Sequence, residues 1–276
     1  LLKTCIDSPV MLYYRGNVPL NDRRTIGIVG TRKATDYGKH VCRNLVEGLK
    51  ETGVTVVSGL AYGIDSCAHR AALDHDLPTV AVLGHGLDRI YPPVHRAMAS
   101  KIMVQGGLLT DFVSGTEPDR ENFPKRNRII AGLCDAIVVV EAAARGGALI
   151  TAELANSYNR DVFAVPGRLG DPYSEGTNLL IMSNKAGLIQ SAEDIEVFMG
   201  WRKRNTTEVP VQRKIFIELT PEEEKIIGLL QEKGPMGIDE IMTGAELAMS
   251  RTSSALLNLE FEGVVRCLPG KVYQMV

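Results

Sequence analysis

Short, mostly apolar runs separated by helical patterns constrain this chain more than any other feature. Residues 25–30 (TIGIVG), 54–58 (VTVVS), 79–83 (TVAVL), 136–140 (AIVVV) and 161–165 (DVFAV) are rich in β-branched side chains and show no apolar–polar alternation. Strands of that kind are buried on both faces, as in parallel sheets covered by helices on two sides. Between them, residues 37–51, 66–75, 94–101, 125–133 and 149–158 carry apolar positions at helical spacing. Strand–helix alternation over about 200 residues predicts a doubly wound, mostly parallel α/β sheet of the extended Rossmann-like kind. Residues 108–111 predict a further strand near one edge. Ligands of such sheets lie at the carboxyl ends of the strands, so the loops after Val29, Val57, Leu83 and Val140 carry the functional interest.

The pattern changes near residue 201. Residues 201–218 read as a polar, basic linker, and 219–276 as a small separate domain following the core of residues 1–200. Thr220 and the acids of Pro221-Glu222-Glu223 predict a capped helix start. Helices near 221–233, 238–244 and 250–262, then strands at 264–268 and 271–275, predict a winged-helix-like domain.

The net charge of −2 does not by itself suggest a nucleic-acid partner. Residues 1–200 are nearly neutral, with 21 basic and 22 acidic side chains, and 219–276 hold five basic against nine acidic. Any polyanion site must therefore be a local patch. The five cysteines are widely spaced and lack a CxxC pair, which fits reduced thiols in a cytoplasmic protein. The histidines do not fall at zinc spacings, so neither a metal nor a cofactor is expected. No apolar run reaches membrane-spanning length, and no signal peptide is expected. Leu1 in place of Met reads as the edge of a fragment.

Residues 122–128 (NFPKRNR) break an electrostatic preference. Pro124 and the stripe Ile129, Ile130 and Leu133 predict a helix start there. Its first turn is expected to hold Lys125, Arg126 and Arg128 and no acid, although a helix N-terminus favours carboxylates. Cations at a positive dipole end point to an anion in front of them. Arg126 shares the inward-facing stripe, so burial against one carboxylate is the competing reading. Phe123 is either a base-stacking face or a hydrophobic staple.

The first strand lacks the GxGxxG fingerprint, and the second ends in Ser58 instead of an acid, which argues against a dinucleotide. Arg32 in the strand-end turn is placed to grip a phosphate. In the loop 58–65 (SGLAYGID), Gly59 and Gly63 allow close backbone approach and Ser58 offers a hydroxyl. Asp65 is expected to cap the next helix. A plain strand–helix connection is the alternative for that loop. Gly146 and Gly147 open a helix with free N–H groups towards the crevice. The string EAAARGGALITAE around them resembles, with one residue added and one glycine lost, the signature of lonely-guy-type nucleotide phosphoribohydrolases.

Taken together, IVGTRKATDYG, VSGLAYGIDSCAH, AVLGHGLDRIYPP, FPKRNRIIAGL, EAAARGGALITAELA and VFAVPG resemble the DprA (Smf) DNA-processing family of natural transformation, in the family's order from Gly27 to Ile195. Gly146-Gly147-Ala148 departs from the family's usual Ser-Gly-Ser. The resemblance implies a single-stranded DNA binder that acts as a homodimer, protects incoming strands and loads a RecA-type recombinase, without catalysis. It implies an N-terminal helical domain missing from this chain and a winged helix at the C-terminus. The implied DNA site comprises Arg32, the loop with Ser58, Gly59, Gly63 and Asp65, Phe123, Lys125, Arg126, Asn127 and Arg128, with Gly146 and Gly147 opposite. The acidic winged helix is expected to serve protein contact or packing and not to enter a DNA groove. Two rivals stay open: a mononucleotide-hydrolysing enzyme of the lonely-guy type using Glu153 or Asp65, and a nucleotide-sensing regulator.

Overall fold

Each of the apolar runs forms a strand in the computed structural model, which describes residues 1–20, 24–201, 219–268 and 272–275. The chain divides into two units, residues 1–205 and 206–276. The basic segment 202–218 and the hairpin tip at Pro269-Gly270 lie outside the described residues.

The first unit runs β1 (Tyr13–Gly16), β2 (Thr25–Val29), α1 (Asp36–Gly48), β3 (Thr55–Ser58), α2 (Ile64–Asp74), β4 (Thr79–Val82), α3 (Arg96–Gln105) and β5 (Gly107–Thr110). It continues with α4 (Asn122–Leu133), β6 (Ala136–Val139), α5 (Gly147–Ser157), β7 (Asp161–Ala164), α6 (Glu175–Met182), β8 (Gly187–Leu188) and α7 (Ala192–Phe198). The sheet order is β1-β5-β4-β3-β2-β6-β7-β8. Every pairing is parallel except that of β1 with β5, an antiparallel ribbon at the edge.

Both faces of the sheet are covered, which is why its strands read as unbroken apolar runs. Ile26 and Ile28 point to one face and meet Leu45 of α1, Ile64 of α2 and Ile195 of α7. Val29, Ile137 and Val139 point to the other and meet Ile130 of α4, Ala152 of α5 and Leu180 of α6. A smaller cluster joins Ala81 and Leu108 to Leu60 and to Ile102 of α3.

From β2 the chain builds outward through β3, β4 and β5, then returns to the other side of β2 with β6. The switch point, where such sheets open a crevice, lies between β2 and β6. The segment after β2 is tied across this gap, since the Thr31 amide donates to the Glu141 carbonyl (2.7 Å). The buried Glu141 carboxylate also accepts from the Thr35 amide (3.0 Å) and hydroxyl, fixing the start of α1 to the end of β6.

The second unit contains α8 (Pro221–Lys233), β9 (Met236–Gly237), α9 (Ile238–Ala245), α10 (Met249–Phe261), β10 (Val265–Leu268) and β11 (Val272–Met275). Its antiparallel sheet has the order β10-β11-β9. Ile226, Leu230, Ile241, Leu256 and Leu259 form its core. Thr220 and Glu223 form a reciprocal capping box at α8. Among the described residues, no helix is long and apolar enough to cross a membrane, and no side-chain group could hold a metal ion.

Candidate nucleic-acid interface

Four strand-end segments meet at the switch point and leave an open cleft of about 400 Å³. The turn Gly30–Arg32 after β2 forms one wall, and Ala142–Ala148, which leads into α5, forms the opposite wall. The start of α4 and part of the loop after β3 complete it. A larger depression of about 640 Å³ lies between α1 and α7, away from the strand ends. Glu51, Glu193 and Glu196 face Arg24 there, so its charge does not suit a polyanion.

Helix α4 starts at Asn122, two residues before the predicted start at Pro124. Proline is tolerated in the first turn because the N–H it lacks would have no helical partner there. The first turn is therefore Asn122-Phe123-Pro124-Lys125, without an acid and without a side-chain cap, while Arg126 and Arg128 fall in the second turn.

That shift separates the basic residues into two kinds. Arg126 is only 4% exposed. Its Nη1 donates to the carbonyls of Gly59 (2.6 Å) and Val82, bracing the ends of β3 and β4. Burial lowers its pKa to about 10, opposed by the nearby Asp65 carboxylate, so it stays cationic at neutral pH. The expectation that Arg126 reaches out to phosphate gives way to a bracing role, although its guanidinium still lines the cleft. Arg128 turns to an ion pair with Asp111 (2.5 Å) and donates to the Asp7 carbonyl, away from the cleft. Lys125 is exposed, has no ion-pair partner among the described residues, and does not line the cleft.

Arg32 is exposed in the turn after β2, and its guanidinium carbon lies 5.2 Å from the centroid of the Phe123 ring. Phe123 is half-buried, with Tyr91 beyond it at a centroid distance of 6.0 Å and a tilt of 31°. Phe123 sits inside the first turn of α4, so the staple position before the cap is not where it lies. Asn127 donates to the Gly147 carbonyl (3.3 Å), joining α4 to the start of α5. Gly146 is the residue before α5, and Gly147 is its first residue, both on the cleft wall.

The loop after β3 acts as a scaffold. Ser58 is fully buried and its hydroxyl donates to the Ile28 carbonyl (2.6 Å), so it locks β3 to β2 instead of offering a ligand contact. Gly59 leaves room for Arg126; a Cβ there would lie 2.2 Å from Nη1. Gly63 and not Asp65 is the N-cap of α2, with φ of 78°, and a Cβ would lie 2.2 Å from the Thr31 carbonyl oxygen. Asp65 sits one position inside the helix, buried, accepting from the Ala61 amide (3.4 Å). Burial raises its pKa, opposed chiefly by Arg126.

The cleft thus gathers Arg32, Asp65, Phe123, Arg126, Asn127, Gly146 and Gly147, with Ser58, Gly59 and Gly63 as its frame. Two exposed cations on its lining, Arg120 and Arg145, were not predicted. Arg145 lies in the loop preceding Gly146, and its position beside two glycines is the signal that could have found it. Arg120 precedes α4 in an irregular stretch with no such signal. Of the two acids that the rival enzymatic reading offers as alternatives, Glu153 lies outside the cleft in an exposed ion pair with Lys185 (3.6 Å), while Asp65 lines the cleft but is buried beside Arg126.

A doubly wound α/β domain with a cation-rimmed crevice at its switch point is the class this geometry defines. Residues 1–200 match the family model of DNA recombination-mediator protein A, and residues 217–271 match that of the DprA winged helix domain. The chain belongs to the DNA recombination-mediator protein A (DprA) family. It is 37% identical over 298 residues to protein Smf of Synechocystis sp., covering 96% of this chain and 75% of that protein. Its fold is similar to the X-ray structure of DNA processing protein A from Streptococcus pneumoniae (40% identity, TM-score 0.68, 71% of this chain and 69% of that one). It is also similar to DNA processing protein A from Helicobacter pylori, whose structure concerns its single-stranded DNA binding mode (30% identity, TM-score 0.66, 72% of this chain and 89% of that one).

Proposed function

We propose that this chain is a non-enzymatic, cytoplasmic single-stranded DNA-binding protein that works as a homodimer, protects incoming strands and loads a RecA-type recombinase onto them. The observation that carries the reading is the Arg32–Phe123 pair on the rim of the switch-point cleft. An aromatic face stacks a base of any sequence, and the neighbouring guanidinium takes the adjoining phosphate. Arg120 and Arg145 extend the cationic rim beyond what one mononucleotide requires.

The chain acts in three parts: a binding core over 1–200, a basic linker over 201–218 and a winged-helix-like domain over 219–276. The last serves protein contact in this reading. Arg251, the one cation of α10, is paired with Glu222 (2.8 Å), while Met249, Leu257 and Phe261 of the same helix are exposed.

The test is titration of a fluorescent dT oligonucleotide, long enough to span a dimer, across a salt series. Removing one cation that neutralises a phosphate should make the log–log salt slope shallower by about 0.7. Arg32→Ala/Arg120→Ala is expected to bind more weakly with a shallower slope. Equal binding by wild type and the double variant would remove the cleft from the DNA path.

A further inference from the structure

On the face of the sheet opposite α4, helices α1 and α2 pack side by side and carry two thiols towards each other. Cys42 of α1 is fully buried, and its Sγ lies 4.0 Å from the Ile64 carbonyl oxygen. Cys67 of α2 is half-buried, with Sγ 3.5 Å from the Lys39 carbonyl oxygen, so each thiol reaches the backbone of the helix that carries the other. Cys67 opens into a depression of about 170 Å³ whose charged lining is Lys39, Arg43, Arg70 and Asp74. Lys39 is also paired with Asp36 (3.1 Å), so three cations stand against two carboxylates and leave a net positive mouth over a thiol.

We propose that Cys67 and Cys42 form a redox-active thiol pair, Cys67 attacking and Cys42 resolving, whose reaction partner is a small anionic disulfide. The charged groups around Cys67 come from both helices: Lys39 with its partner Asp36 and Arg43 from α1, Arg70 and Asp74 from α2, with Asp65 facing Cys42. The neighbouring Cys42 thiol lowers the Cys67 pKa to about 7, assisted by Arg43, Arg70 and Lys39, while burial opposes it. The neighbouring Cys67 and burial raise Cys42. Reactivity follows the thiolate, so Cys67 attacks first.

The chemistry balances without a further reactant. The Cys67 thiolate attacks one sulfur of the disulfide RSSR, forming Cys67–S–S–R and expelling RS⁻, which takes up the proton Cys67 released. Cys42 then attacks the Cys67 sulfur and expels the second RS⁻, which takes up the Cys42 proton. Two cysteine thiols are oxidised to one disulfide, and RSSR is reduced to two RSH. Cys42 has no surface of its own, so the incoming disulfide can reach only Cys67.

The experiment treats the full chain with oxidised glutathione, a carboxylate-bearing disulfide, or with the cationic cystamine, then traps free thiols with N-ethylmaleimide and maps peptides by mass spectrometry. A transient glutathione adduct on Cys67 is expected, followed by a Cys42–Cys67 cross-link. The reaction with oxidised glutathione should be faster than that with cystamine by on the order of tenfold. Cys42→Ser should stop at the Cys67 adduct, and Cys67→Ser should leave Cys42 unmodified. Should either variant fail to fold, iodoacetamide labelling of the wild-type chain across pH decides, with Cys67 half-maximal near pH 7. Labelling of Cys267 with Cys67 untouched, or a Cys67 adduct that persists without a cross-link in the wild type, would overturn the proposal.

Discussion

The Arg32 guanidinium covers one face of the Phe123 ring at 5.2 Å, joining the turn after β2 to the first turn of α4. Neither residue is therefore independent of the other in the unliganded protein. Phe123→Ala is expected to weaken dT oligonucleotide binding by about 1–3 kcal/mol without changing the salt slope. Arg32→Ala should weaken binding and make the slope shallower by about 0.7. The double variant should lose less than the sum, with a coupling on the order of 0.5–3 kcal/mol, because removing either residue changes what the other touches. Strict additivity in fluorescence anisotropy titrations would mean that the pair has no part in one binding step.

Arg126 makes a different prediction, one about stability. Arg126→Met leaves the Gly59 and Val82 carbonyls without their donor and Asp65 without its nearest cation. A loss of about 3–5 kcal/mol in urea unfolding at neutral pH is expected, the range for breaking a buried charge pair. The loss should shrink in acid, where Asp65, already raised by burial, takes up a proton. A small change at neutral pH would show that the bracing hydrogen bonds are not needed.

Gly63 links the frame to the rim. With φ of 78° and the Thr31 carbonyl oxygen 2.2 Å from where a Cβ would stand, Gly63→Ala must displace the turn that carries Arg32. Both the melting temperature and oligonucleotide affinity are expected to fall. Gly53→Ala is the control, since Gly53 shares a positive φ of 64° but has open space around it. That variant should cost about 1–2 kcal/mol of stability and leave affinity unchanged.

His69 sets a pH dependence. It is fully buried; its Nδ1 lies 2.7 Å from the Thr79 hydroxyl and its Nε2 has no hydrogen-bond partner. Burial lowers its pKa to about 3, helped by the charges of His95 and Arg126. An unfolded histidine titrates near 6.5, so between about pH 6.5 and 3 the unfolded chain holds a proton that the native chain refuses. Stability contributed by this group is full above pH 6.5 and is lost as pH falls towards 3, by on the order of several kcal/mol. His69→Gln should flatten that part of the thermal stability profile, and an unchanged acid slope would assign the effect to other groups.

The parallel strands were legible because burial on both faces leaves continuous β-branched runs, as in residues 136–140. β1 was not, because it is itself the edge strand, its four residues partly or fully exposed and paired only with β5. α7 carried a readable capping signal in Ser191 and Asp194 that its brevity obscured. At the site, residue type could not tell an outward arginine from an inward one. Lys125, Arg126 and Arg128 lie within four consecutive residues, and which of them meets solvent depends on where Gly59, Val82 and Asp111 fall in three dimensions. Tyr91 was equally hidden, since its contact with Phe123 joins a loop to a helix distant in sequence.

The brace from Arg126 to Gly59 and Val82 has a thermodynamic reach beyond its own hydrogen bonds. By clamping the ends of two adjacent strands, it fixes the cleft floor before any ligand arrives. Loops that must be ordered on association subtract their lost entropy from the affinity, and a floor already rigid subtracts little. The remaining freedom is left to the exposed side chains Arg32, Arg120 and Arg145 at the rim, which can follow the irregular path of an unpaired polymer. A preorganised base beneath an adaptable edge is the arrangement expected of a receptor that must hold many sequences equally well.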